Sequence, residues 1–191
     1  MPRPRKFDEN KVLSEAMDVF WQKGYASTST EDLEQATQIK RGSLYNAYKD
    51  KRTLFFRTLE HYGQQEIENV VTVMTTAKTI QQGYAAVLAH AIRYANQEND
   101  HRGCLLCDAA SELGAKDKQV ADRVNDLFKP MADVFLAHFS LQAENHTEEQ
   151  INARVDNVMA SYMGFRLMCK LGYSKERLHA LSQESIALLG L

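Results

Sequence analysis

Residues 40–51 carry cations, hydroxyl groups and a glycine in a pattern that suits contact with DNA. At about 100° per residue, a helix through this segment has one apolar edge and one polar edge. The apolar edge contains Leu44, Ala47 and Tyr48, and the polar edge contains Gly42, Ser43, Tyr45 and Asn46. A glycine inside a helix costs about 1 kcal/mol relative to alanine, and close approach of the backbone to a phosphate or a base edge would explain it. The segment is bracketed by cations that a DNA backbone attracts, namely Lys40, Arg41 and Lys51.

A second reactive pattern lies in residues 102–113, where Cys104 and Cys107 are one helical turn apart. The plainest interpretation is that both pack a helix as small hydrophobes, because free cysteine is among the most buried residue types. The sharper interpretation is a thiol sensor. At a helix N-terminus beside Arg102 and His101, the pKa of the Cys104 thiol would be lowered, and its thiolate could react with an oxidant or an electrophile.

Two further uses of the cysteine pair remain open. A metal-responsive regulator could bind zinc or a softer ion through His101, Cys104, Cys107 and Asp108. A redox enzyme could use the two thiols as a thiol-disulfide couple, but such couples normally follow a strand, and the sequence has no strand pattern. The sequence also lacks a metal-protease motif, a phosphate loop and a serine-histidine-acid constellation. We therefore expect no enzymatic activity, no bound metal and no cofactor.

The elements that would position residues 40–51 are those of a helix-turn-helix. A first helix, residues 8–23, repeats apolar residues at helical spacing and is stopped by Gly24. Ser29 and Asp32 form a capping-box pattern at the start of a second helix, residues 30–36, and residues 37–39 form the turn. In this motif the N-terminal half of the following helix meets base edges in the major groove.

The rest of the chain is predicted to be helical, because it shows no sustained alternation of polar and apolar residues. We predict helices over residues 51–75, 80–99, 104–113, 117–141, 147–172 and 174–189, with a kink at Pro130. The fold class is therefore all-α, with about nine helices. We divide the chain into a helix-turn-helix DNA-binding domain, residues 1–50, and a helical effector-sensing and dimerisation domain, residues 51–191.

The last two predicted helices carry apolar residues over more than one narrow stripe, so each should be buried on more than one side. This pattern suits a four-helix interface between two copies of the chain. A purely internal core is the alternative. A homodimer also fits DNA binding, since paired recognition helices read half-sites about 34–36 Å apart.

Large side chains in residues 84–166 could line a ligand pocket, although aromatic residues and methionines at helical spacing more often form a core. The candidates are Tyr84, Leu88, Tyr94, Phe128, Met131, Phe135, Tyr162, Phe165 and Arg166. Arg166 interrupts an apolar run, and a buried arginine requires an anionic partner. That partner is either an internal Asp or Glu or the carboxylate of an effector.

Residues 8–60 resemble the N-terminal domain of the TetR family of transcriptional regulators. The matching residues are Phe20, Gly24, Tyr25, Thr28, Leu33, Ala36, Ile39, Gly42, Ser43, Leu44, Tyr45, Tyr48, Lys51, Leu54 and Phe55. The resemblance implies that Arg41 and Gly42 approach bases. It implies phosphate contacts for Ser29, Thr30, Ser43, Tyr45, Asn46 and Lys51. Gln38 replaces the family's usual turn glycine, and Lys40 replaces the small hydroxyl residue that usually caps the recognition helix.

Residues 102–113 resemble the Gly-Cys-Leu-Leu opening of the sixth helix in one branch of the same family. In that branch the helix lies between the linker to the DNA-binding domain and the ligand pocket. Some relatives sense electrophiles or oxidants through a cysteine at this position.

We therefore expect a homodimeric repressor that binds double-stranded operator DNA and is released by a small-molecule or oxidant effector. The formal net charge is only −2, but cations exceed anions within residues 1–60. A basic arm containing Arg3, Arg5 and Lys6 could reach a minor groove. No apolar run reaches the roughly 18 residues of a spanning helix, no signal peptide is visible, and the cysteine count is odd. These features predict a cytoplasmic protein without membrane contact.

Overall fold

The computed structural model describes residues 7–97, 102–141 and 146–189. These residues contain nine helices and no strand, which confirms the all-α prediction. The helices are α1 (Glu9–Lys23), α2 (Thr30–Thr37), α3 (Arg41–Tyr48), α4 (Lys51–Tyr62, Gly63–Ile67 and Glu68–Thr76), α5 (Ile80–Gln97), α6 (Leu105–Ala109 and Ala110–Gly114), α7 (Lys118–Leu141), α8 (Glu148–Lys170) and α9 (Lys175–Ala187). We refer to α1–α3 as the head and to α4–α9 as the body. The predicted basic arm, residues 3–6, and His101 lie outside the described residues.

Local capping signals explain where the helices of the head begin and end. Asp8 accepts backbone hydrogen bonds in the first turn of α1. Gly24 ends α1 with φ of 78°, a conformation that glycine adopts without steric cost. The capping box between Ser29 and Asp32 is formed in both directions at the start of α2. Because these interactions are local, the predicted boundaries of α1 and α2 agree with the structure to within one residue.

α4 joins the head to the body and contains a π-helical turn, Gly63–Ile67, between two α-helical parts. The sequence predicts the continuous helix but not this turn, in which hydrogen bonds span one residue more than in an α-helix. A Cβ at Gly63 would lie 2.7 Å from Leu127 Cδ2 of α7. Glycine therefore lets α7 pack closely against the π-helical turn.

α6 and α9 differ in detail from the prediction. α6 begins after Cys104, which is its N-cap residue, and it ends in a second π-helical turn, Ala110–Gly114. α9 ends at Ala187, two residues earlier than predicted. Pro130 lies inside α7, and the kink expected there stays a prediction.

One hydrophobic core runs from the head into the body. Phe20 of α1 meets Phe55 of α4 edge to face, with ring centroids 5.1 Å apart. Deeper in the body, Tyr84 of α5 meets Phe135 of α7 in the same way at 5.4 Å. The core is thus continuous across residue 50, and the predicted domain division at that residue stays a prediction. None of the described helices combines the length and the apolar character that crossing a lipid bilayer requires.

Candidate DNA-binding surface and sensor cluster

The polar edge of α3 is exposed and its apolar edge is buried, as the sequence predicts. Leu44 and Tyr48 are 0% and 3% exposed and anchor α3 in the hydrophobic core. The exposed edge carries Arg41, Gly42, Ser43 and Asn46. A Cβ added at Gly42 would meet no atom within 4 Å. Since the described part of the chain does not require a glycine here, close approach of an external partner is the better explanation.

A hydrogen bond between α2 and α3 holds one side of this exposed edge. Tyr45 Oη and Thr30 Oγ1 are 2.9 Å apart, and the Arg41 guanidinium lies 5.8 Å from the centre of the Tyr45 ring. Ser29 already has a structural role, because its Oγ accepts the Asp32 amide at 3.1 Å. The structure therefore brings Thr30, Arg41 and Tyr45 together, with Ser29 at the start of the neighbouring helix.

Lys51, at the start of α4, is tied to the loop between α1 and α2. Its Nζ donates to the carbonyl oxygen of Tyr25 at 3.0 Å and to that of Thr28 at 2.9 Å. The ammonium also lies 4.5 Å from the centre of the Tyr25 ring. An ammonium has three N–H groups, so these two bonds leave one for a further acceptor. The sequence does not predict this structural role.

The start of α3 shows how the chain accommodates two unusual residues. Gln38 has φ of 55° and ψ of 23°, the left-handed conformation in which a side chain is strained. Lys40 is the N-cap residue of α3 and provides no side-chain cap. The Glu34 carboxylate of α2 instead accepts a hydrogen bond from the Arg41 amide. A carboxylate thus supplies the cap that a hydroxyl would give, and it is favoured by the positive end of the helix dipole.

A buried cluster surrounds Cys104, which is 2% exposed. Tyr62 Oη of α4 donates to Cys104 Sγ at 3.5 Å. Burial alone would raise the pKa of the Cys104 thiol, but hydrogen bonding from Cys107, the charge of Arg166 and the Tyr62 hydroxyl together lower that pKa. Hydrogen bonding to Cys104, followed by burial, raises the pKa of the Cys107 thiol. Within the pair, Cys104 is therefore the better thiolate.

The cation beside Cys104 is not the one that the sequence suggests. Arg102 is directed to the head, where it pairs with Asp18 at 2.5 Å. The charge that acts on Cys104 comes from Arg166 of α8, which also donates to the Gly103 carbonyl oxygen. Sequence proximity misidentified the partner because residues 62 positions apart meet through the packing of α8 on α6.

Arg166 also lacks the internal carboxylate that we considered for it. Its Nη1 donates to Tyr162 Oη at 3.4 Å, and its Nε is shielded from solvent without a hydrogen-bond partner. Within the described ranges, no Asp or Glu forms an ion pair with it. The nearby Asp108 pairs instead with Lys170 at 2.6 Å. The guanidinium is thus surrounded by hydroxyl, thiol and carbonyl groups.

The metal and enzyme alternatives gain no support from the geometry. Over residues 7–97, 102–141 and 146–189, no group of three or more His, Cys, Asp or Glu side chains could hold a metal ion. His101, one of the four ligands considered, lies outside these ranges. The helical surroundings of Cys104 and Cys107 also differ from the strand-based layer that a thioredoxin-like couple occupies.

Most of the predicted pocket residues belong to the core. Those that are at most 4% exposed are Tyr84, Leu88, Phe128, Met131, Phe135, Tyr162 and Phe165. A cavity of about 240 Å³ lies elsewhere, between the head and the body, and Tyr94 and Arg166 are the candidates that line it. Helical spacing did not distinguish the two groups, because core and cavity residues share the same periodicity.

Contacts between α6 and the head are absent from the sequence predictions. The Glu112 carboxylate accepts the amides of Tyr25 and Ala26 at 2.8 and 2.7 Å. In the segment just before α6, the Arg102 carbonyl oxygen accepts a hydrogen bond from Trp21 Nε1 at 2.9 Å. The Arg102 guanidinium also lies 4.6 Å from the centre of the Trp21 ring. α6 and the segment that precedes it are therefore both attached to the head.

Comparison with known proteins agrees with this arrangement. The family described as bacterial regulatory proteins, tetR family, matches residues 12–58, from α1 into α4. The chain is 24% identical to the HTH-type transcriptional repressor ComR of Escherichia coli over 97% of this chain and 90% of ComR. It is also 24% identical to the HTH-type transcriptional regulator YezE of Bacillus subtilis over 99% of this chain and 100% of YezE.

A solved structure extends the likeness to three dimensions. It is a cysteine mutant of the TetR family transcriptional regulator CifR complexed with 26-bp double-strand operator DNA. It superposes with a TM-score of 0.81 at 26% identity and covers 97% of this chain and 98% of that one. The helix-turn-helix geometry, the full-length relatives and the shared fold lead to one conclusion: residues 12–58 belong to the tetR family of bacterial regulatory proteins, and the chain as a whole is similar to TetR family transcriptional regulators.

Proposed function

We propose that the protein is a homodimeric repressor that binds operator DNA through α3 and is released when an effector acts on the body. The observation that carries this proposal is the exposed edge of α3, centred on a glycine that the protein's own packing does not require. Two relatives support it, since ComR is named a repressor and the CifR mutant is complexed with operator DNA.

In the proposed complex, Arg41 and Gly42 approach the base edges. Phosphates are held by Ser29, Thr30, Lys40, Ser43, Tyr45, Asn46 and Lys51. The Tyr45 hydroxyl is oriented by Thr30, and Lys51 retains one N–H after its two carbonyl bonds. Phosphate contacts position the head, whereas base contacts give the sequence preference.

Two substitutions separate these roles. Arg41→Ala should cost about 1–3 kcal/mol of binding to the best operator and relax the preference at one base pair. Tyr45→Phe should weaken binding to all DNA sequences similarly, because a phosphate contact carries no sequence information. Affinities measured on a set of single-base operator variants test both expectations. Equal losses on every sequence for both variants would contradict base recognition by Arg41.

The dimer is proposed to form through α8 and α9. An apolar stripe runs along α8 to its C-cap residue and consists of Ala160, Met163, Leu167 and Leu171, of which Met163 is half-buried and the other three are exposed. Their spacing of three and four residues places them on one helix face. Leu167 and Leu171 are 51% and 61% exposed. A second copy of the same stripe would cover these leucines.

Release of the operator is proposed to pass through α6. Glu112 in this helix and Arg102 just before it are both attached to the head. Cys104 is the N-cap residue between them. With peroxide, the Cys104 thiolate would become a sulfenic acid as the O–O bond breaks. Condensation with the Cys107 thiol would then form a disulfide and release water. The new bond would change the start of α6 and shift the population of head positions.

A second effector class is a small ligand, and the half-buried Arg166, which has a shielded Nε and no paired carboxylate among the described residues, favours it. To distinguish the two effector classes, operator DNA is first selected from random sequences. Binding of the protein to this DNA is then measured after treatment with hydrogen peroxide and again after dithiothreitol. Reversible loss of binding that disappears in Cys104→Ser supports the thiol mechanism. Cys169→Ser is the control that should keep the response, because burial raises the pKa of the Cys169 thiol. Binding that ignores peroxide would contradict thiol control.

A further inference from the structure

A cavity of about 240 Å³ lies between the DNA-binding head and the body. The head contributes Asp18 and Trp21 of α1 to the lining. The body contributes residues of α4, α5 and α8, together with Arg102 and Gly103 just before α6. Any molecule in this cavity would touch both parts of the protein at once. A benzene ring fits a cavity of about 150 Å³, so this one has room for a substituted single-ring compound.

The charged side chains that line the cavity favour a negatively charged ligand. Arg166 lines the cavity without an ion-pair partner among the described residues, and its Nε lacks a hydrogen bond. Arg102 is already neutralised by Asp18. Arg166 is half-buried, and an accompanying anion is favourable for a guanidinium that is partly removed from water, since its planar donors match a carboxylate. The lining therefore favours a ligand that brings an organic carboxylate to Arg166.

The remaining lining indicates the shape of the ligand. Trp21 and Tyr94 provide aromatic surface, and Ala91 and Ala95 provide apolar wall. The other carboxylate of the lining, Glu66 on the π-helical turn of α4, favours a hydrogen-bond donor and disfavours a second anionic group. The preferred ligand thus has one carboxylate, one ring and a hydroxyl group.

We propose that this cavity binds a small aromatic monocarboxylate, with the carboxylate on Arg166 and the ring beside Trp21. The regulatory part of this inference rests on the proposed repressor function. Because Trp21 also donates to the Arg102 carbonyl oxygen, an occupant would act directly on a contact that holds the head. The binding part does not depend on DNA and can be measured on the protein alone.

Trp21 is the single tryptophan of the chain, so its fluorescence reports on the cavity. We expect 4-hydroxybenzoate to change this fluorescence saturably. The neutral analogue 4-hydroxybenzyl alcohol should bind at least about tenfold more weakly, because it loses a charge-assisted hydrogen-bonded pair. This comparison uses the unmodified protein and does not depend on whether a variant folds. Absence of a saturable change with both benzoate and 4-hydroxybenzoate, or equal affinity for the neutral analogue, would overturn the proposal.

Variants then assign the anchor. Arg166→Gln should raise the Kd for 4-hydroxybenzoate about tenfold or more, whereas Arg166→Lys should retain part of the affinity through its charge. Arg177→Gln is the matched control, since Arg177 lies on α9 against Tyr173 and outside the cavity. An unchanged Kd in Arg166→Gln would contradict the assignment. Binding that leaves the operator complex intact would support the site and contradict only the proposed effector mechanism.

Discussion

Replacing Leu167 with glutamate is expected to make the protein monomeric and to weaken operator binding by roughly 10²–10⁴-fold, the advantage of two linked half-sites. Leu167 is 51% exposed in the single chain and lies in the apolar stripe proposed to face a second copy. A carboxylate at this position would have to be buried without a counter-charge in the dimer. Sedimentation velocity measures the oligomeric state, and titration of a labelled operator measures the affinity.

Leu141→Glu is the matched control for this experiment. Leu141 is 88% exposed at the end of α7, outside the stripe. We expect the control to remain dimeric and to bind the operator as the unmodified protein does. A dimeric Leu167→Glu, or a monomeric Leu141→Glu, would show that the interface lies elsewhere.

Gly42→Leu should change stability and DNA binding in opposite directions. The free energy of unfolding should rise by about 1 kcal/mol, because a good helix former replaces glycine at a position where a Cβ meets no atom within 4 Å. Operator affinity should fall by roughly 10–100-fold, since the side chain would separate α3 from the base edges. Urea denaturation and operator titration measure the two effects.

Asn69→Leu provides the comparison for Gly42→Leu. Asn69 is also exposed on a helix, but it lies in α4, outside the head. It should show a comparable or smaller stability gain with unchanged operator binding. If Gly42→Leu kept its operator affinity, the glycine would have no role in DNA contact.

The parts of the fold that follow from local sequence were predictable, and the contacts between distant segments were not. Asp8, Ser29 and Gly24 act within a turn of their own position, so their capping roles could be recognised without a structure. The attachment of Glu112 to the Tyr25 and Ala26 amides joins segments more than 80 residues apart. No local pattern identifies such a contact.

The cluster around Cys104 illustrates the same limit. The sequence placed Cys104 at a helix N-terminus, which the structure confirms. It also suggested Arg102 as the neighbouring cation, although the packing of α8 brings Arg166 there instead. Likewise, the exposed edge of α3 followed from helical periodicity, whereas the Glu34 cap of α3 depends on the angle between two helices.

Each residue of an α-helix rotates the chain by about 100°, and a π-helical turn holds one residue more than an α-helical turn. The turn at Gly63–Ile67 therefore sets the angular phase between the first part of α4, which packs against the head, and the second part, which packs in the body. Removing one residue from this turn would restore regular α-helical geometry and leave the two parts in nearly the same angular phase, because the wider turn absorbs the surplus residue. The surplus residue shifts the pattern of inward-facing positions by one residue between the two parts of α4, so a helical period continued unchanged through residues 63–67 would assign the wrong buried face to one part.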